Sequence, residues 1–146
     1  MDAADIELRN ATYRLFIELG RAPTAAEVAG AIGRPESDVR DGWRRLHDAH
    51  AIVLDSAGDI RMANPFSAVA TPFQVEAAGK HWNANCAWDA FGIGAALHVD
   101  SVIDTECADC HQPIRLHVRD GRPNDTDLVF HVLVPAISWW QDIGFT

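Results

Sequence analysis

Apolar positions Ile6, Leu8, Leu15, Phe16 and Leu19 recur mostly at three- and four-residue spacings, which predicts a helix over residues 5–19 ended by Gly20. Thr24-Ala25-Ala26-Glu27 has the spacing of a capping box, in which the Thr hydroxyl accepts an N–H three residues on and the Glu reaches back. That box opens a second helix, which stops near Gly33. Pro35 introduces a third, over residues 36–49, with Val39, Trp43 and Leu46 on its buried face. Residues 51–54 and 60–62 then read as two short strands around the polar turn Ser56-Ala57-Gly58-Asp59. Three helices and a hairpin predict a winged helix-turn-helix domain over residues 1–65.

After Asn64-Pro65 the pattern changes. Residues 66–75 alternate in short strand-like pieces interrupted by Pro72, and residues 80–85 lead into an alanine- and glycine-rich helix over 86–97. Strands are expected at 101–105, 113–118 and 128–134, with a tight turn at 107–110 and a closing helix at 135–142. The whole is an α+β chain: the winged helix first, then a small mixed unit over residues 66–146. No internal repeat interrupts it.

Composition narrows the class. With 146 residues, 48% hydrophobic and 23% charged, the chain can build a core without disulfide staples. No apolar run approaches the roughly 18 residues that span a bilayer. The acidic, polar start is not a secretory signal, so a cytoplasmic protein is expected, with no membrane partner. The net charge is −9, and Lys80 is the single lysine among twelve basic residues. Within residues 1–65 eight arginines face eleven acids. Arg40, Arg44 and Arg45 on the third helix are outnumbered by Glu36, Asp38, Asp41 and Asp48, which disfavours a DNA-reading role. Oligomeric state is left open.

Candidate chemistry sits in two clusters. Asn85 is a good N-cap, which would place Cys86 in a first helical turn, where the helix dipole lowers a thiol pKa. Asp89 lies three residues on and shares its face, so a thiolate and a proton carrier would be paired there. The plainer reading is a small buried filler beside a first-turn acid. The second cluster is Cys107-Ala108-Asp109-Cys110-His111, a C-x-x-C turn that can present two thiolates to one ion. Cys86, His111 or His117 are candidates to complete such a site, holding Zn or Hg; a redox pair and two unmetallated thiols are the alternatives. His117 and His131 lie among apolar residues and read as core or surface members. Trp82, Trp88, Phe91, Trp139 and Trp140 can wall an apolar pocket near Cys86, although tryptophans mostly fill cores, the expectation here for Trp139. Phosphate-cradling and serine-elbow motifs are absent.

The winged-helix start, the helix opening Asn85-Cys86-Ala87-Trp88-Asp89-Ala90 and the later Pro113-Ile114-Arg115-Leu116 strand together resemble the alkylmercury lyase family, over about residues 5 to 118. The Cys-x-x-Asp element is the specific part of that likeness. The resemblance implies that Cys86 is the first catalytic cysteine and Asp89 the catalytic aspartate. It also implies a second catalytic cysteine further along, and no cysteine follows Cys110 in this chain. It implies protonolysis of a carbon–mercury bond, or a related thiol-dependent reaction on a small organometal or electrophile, with no cofactor required. The other reading is a non-catalytic soft-metal binder or sensor, in which Cys86, Cys107 and Cys110 hold a metal and the winged helix reports it as a transcriptional regulator.

Overall fold

The computed structural model describes residues 1–132 and 134–144. Helix α1 (Ala3–Leu19) starts from a capping box between Asp2 and Asp5 and ends on Gly20 in the left-handed region, φ 71°. Helix α2 (Ala25–Ile32) carries the expected Thr24–Glu27 box and is closed by Gly33. Helix α3 (Glu36–Asp48) follows Pro35. Its Trp43 is fully buried and donates its indole N–H to Thr12 Oγ1 at 3.0 Å, which fixes α3 against α1 with no buried donor left over. Elsewhere on α3 the arginines are neutralised by the chain's own acids: Arg40 by Glu36 and Asp59, Arg44 by Asp41, Arg45 by Asp5.

The strands are β1 (Val53–Leu54), β2 (Ile60–Ala63), β3 (Phe66–Ser67), β4 (Gln74–Ala77), β5 (Lys80–Ala84), β6 (Ser101–Glu106), β7 (Pro113–Arg119) and β8 (Arg122–Pro123). They form one sheet in the order β1-β2-β3-β5-β4-β6-β7-β8, every neighbouring pair antiparallel. The units expected at 1–65 and 66–146 share this sheet, because β2 pairs β3 with Met62 opposite Ser67 and Ala63 opposite Phe66. They share a core too. Leu8, Phe16 and Trp43 belong to the same buried cluster as Phe66, Trp82, Ile103 and Val118, and the Phe16 and Phe66 rings stack at 5.3 Å. Lys80 on β5 donates to the Ile17 and Glu18 carbonyls at 2.6 and 2.8 Å, satisfying acceptors that the end of α1 leaves open.

Helix α4 (Ala87–Leu97) links β5 to β6 and packs on β4, β5 and β6. Small residues allow its close approach: a Cβ on Gly94 would meet Ser101 Oγ at 2.6 Å, and one on Gly92 would meet Pro65 at 3.2 Å.

Two expected elements differ. Residues 128–132 form no strand, and Leu133 lies outside the described residues. Among the described residues β8 is the last strand of the sheet, and residues 130–132 line a cavity instead of pairing. The closing segment is a 3-10 helix, Ala136–Gln141, rather than an α-helix; Pro135 provides no side-chain cap, and Trp139 Nε1 donates to the Val134 carbonyl at 2.7 Å across the turn. Among the described residues no helix is long and apolar enough to cross a membrane.

Candidate active site

At the end of β5 the chain turns into α4, and three consecutive features converge there. Cys86, not Asn85, occupies the N-cap position, with extended backbone (φ −152°, ψ 179°) and its carbonyl accepting the Ala90 N–H at 3.0 Å. Asn85 is engaged instead by one local and two longer-range partners. Its amide donates to Asp89 Oδ2 at 2.9 Å, to Asn64 Oδ1 at 3.1 Å and to the Phe66 carbonyl at 3.4 Å. Asn64 in turn accepts at its carbonyl from the Tyr13 hydroxyl, 3.1 Å away. A polar chain therefore runs from α1 through Asn64 and Asn85 to the Asp89 carboxylate.

The electrostatics depart from the expected thiolate. Burial pushes the Cys86 thiol above its ordinary value; the N–H groups of Asp89 and Trp88 oppose this, and the Asp89 charge adds to it. The helix terminus is present and its N–H groups act in the expected direction, but desolvation is the larger effect. Burial likewise pushes the Asp89 carboxyl up, against the hydrogen bonds from Asn85 and the Cys86 thiol that favour its ionised form. At both groups burial opposes the charged form, so the site pairs a thiol and a carboxyl that can exchange a proton.

Cys86, Asp89 and Asn85 line a cavity of about 330 Å³ whose other walls include Phe73, Trp88, Phe130 and Trp139. Trp88 is 69% exposed and meets Phe130 edge-on at 6.2 Å, forming a rim. Of the aromatic residues expected at a pocket, Trp82 is instead a core residue, Phe91 packs partly buried against that core, and Trp140 stacks on His50 at 4.0 Å. Trp139, expected in the core, is a cavity wall. His131, read from sequence as a core or surface residue, also lines the cavity, as do Asn64 and Met62. No local spacing singles these out; they meet the site only through the fold.

The set Cys86, Cys107 and Cys110 is not brought together. Cys107 and Cys110 lie on the β6–β7 connection, outside the cavity lining, and among the described residues no three His, Cys, Asp or Glu side chains gather to hold a metal ion. The strand order explains the separation: β5, which leads to Cys86, and β6, which leads to Cys107, have β4 between them, an offset of roughly 10 Å at two strand spacings. The turn has its own character. N–H groups of Cys110 and Asp109, with the Cys110 thiol, hold the Cys107 thiol below its ordinary value.

No curated protein sequence matches the chain. Among solved structures, the mercury-bound form of MerB2 superposes with a TM-score of 0.70 over 87% of this chain at 24% identity, a likeness of fold. The chain spans 61% of that protein's length. Residues 66–146, which include α4 with Cys86 and Asp89 and most of the cavity lining, match the MerB family model, described as alkylmercury lyase. By that match over more than half its length, the chain belongs to the alkylmercury lyase family.

Proposed function

We propose that the chain cleaves carbon–mercury bonds by protonolysis, with Cys86 as the sulfur ligand and Asp89 as the proton carrier. The observation that carries this reading is that the Cys86 thiol and the Asp89 carboxyl, three residues apart at the opening of α4, line the same apolar cavity. Membership of the family and a structural neighbour solved with mercury bound support it.

Mercury(II) is soft and prefers sulfur over oxygen or nitrogen. An organomercurial arriving as its small-thiol adduct has its organic group accommodated by Phe73, Trp88 and Phe130. The Cys86 sulfur bonds to the metal, and its proton passes to the Asp89 carboxylate beside it. Two sulfur ligands raise electron density on mercury and weaken its bond to carbon. The resulting Asp89 carboxylic acid delivers the same proton to that carbon, and the carbon–mercury electron pair becomes the new C–H bond. The products are a hydrocarbon and mercury held by Cys86 and the small thiol, so atoms and charge balance. Cys86 is the one cysteine lining the cavity among the described residues, hence the exogenous thiol as second ligand.

Benzene release from phenylmercury in the presence of a monothiol tests this. Cys86→Ser is expected to reduce release to the uncatalysed rate, and Asp89→Ala to lower it by about 10²–10⁴-fold, the usual contribution of a positioned acid–base group. Release by Cys86→Ser equal to that of the unaltered chain overturns the reading.

A further inference from the structure

We propose that Cys107 and Cys110 form a second sulfur site, separate from the cavity, that chelates one two-coordinate thiophilic cation, with Hg²⁺ as its probe. The β6–β7 hairpin closes its ladder at Glu106 opposite Pro113, leaving residues 107–112 as the connection. Backbone bonds pin both ends of it: the Cys107 N–H donates to the Gln112 carbonyl and the His111 N–H to the Cys107 carbonyl, each at 2.9 Å. Within that loop Cys107 and Cys110 stand three residues apart in one tight turn, the C-x-x-C spacing that can present two sulfurs to a single ion. Neither sulfur is in a disulfide; Cys110 is exposed and Cys107 half-buried, so an ion reaches both from solvent.

Ligand number selects the metal class. Structural zinc wants four ligands. Here one turn offers two sulfurs, while His111 Nδ1 faces Glu106 at 3.3 Å and no group of three or more His, Cys, Asp or Glu side chains gathers among the described residues. Two sulfurs satisfy a soft d¹⁰ cation that accepts two-coordination. The Glu106 and Asp109 carboxylates add negative charge around the loop. Binding forms two sulfur–metal bonds, breaks two S–H bonds and releases two protons, with no change of oxidation state.

The site does not depend on the lyase reading, and its test is run where that reading has been switched off. The reduced Cys86→Ser protein, loaded with Hg²⁺ and challenged with excess glutathione, is expected to retain one equivalent per chain as a monomer, with two protons released on loading. Cys86→Ser/Cys107→Ser and Cys86→Ser/Cys110→Ser are each expected to lose retention by about a hundredfold or more, because a single thiol has no chelate advantage over glutathione. Cys110 is exposed, so its variant tests ligation rather than folding. Surrender of all mercury by Cys86→Ser overturns the proposal, as does equal retention by either double variant.

Discussion

Asn85 acts on Asp89 in two ways, by holding the carboxylate in place and by favouring its charged form. In the proposed mechanism Asp89 accepts the thiol proton as a carboxylate, so turnover is expected to fall as pH drops through its folded pKa. Removal of the amide takes away a stabiliser of the carboxylate and raises that pKa further. Asn85→Ala is therefore expected to shift the acidic limb of the pH–rate profile to higher pH, whereas a purely steric role lowers the rate at every pH alike. Asp5 offers the opposite sign. The Arg45 guanidinium holds its buried carboxyl below the usual range, so the pair's stabilisation is present above the ordinary carboxylate value and disappears as pH falls through the folded one. Thermal melts of Arg45→Met are expected to show a smaller loss of stability on acidification than the unaltered chain. At this scale the Cys86–Asp89 pairing was legible because three-residue spacing on a helix is a local fact. The partners of Asn85 were not, since Asn64 and Phe66 reach it only after β2, β3 and β5 have assembled.

Helices were the legible elements. Their caps are written in adjacent residues, and Thr24–Glu27, Gly20 and Gly33 all act as the pattern predicts. Strand character at 128–134 was misleading because apolar alternation records which side chains avoid water, not whether a sheet edge is free to pair. Phe130 and Val132 turn to the cavity instead of a ladder. Close helix approach was also invisible in periodicity, and two glycines test it. A Cβ at Gly42 would collide with the buried Leu8 side chain, and one at Gly94 would press on Ser101 Oγ and the Val99 carbonyl, 3.2 Å away. Overpacking of this kind costs about 1–3 kcal/mol, more than the roughly 1 kcal/mol that alanine gains over glycine within a helix. Gly42→Ala and Gly94→Ala are each expected to lower the urea midpoint with an unchanged slope, and an equal or higher midpoint would show that the neighbours yield.

For the molecule as a whole, the N-terminal helices and the sheet share one buried core, so they are expected to unfold together. Lys80 is the clearest single link between them, since its ammonium holds two carbonyls at the end of α1. Hydrogen bonds to charged groups contribute about 1.5–3 kcal/mol each at most, and their replacement by an apolar chain of similar length in Lys80→Met is expected to lower stability by about that amount for the pair. Chemical denaturation should show one transition, at a lower midpoint, by both tryptophan fluorescence and circular dichroism. Two separated transitions would mean that the halves fold apart. This continuity bears on inheritance. The stretch that carries the Cys-x-x-Asp signature borrows its footing from helices outside the family match, through Tyr13, Asn64 and the stacked Phe16 and Phe66. A change in those leading helices is therefore expected to reach the turn that carries Cys86 even when residues 66–146 are left untouched.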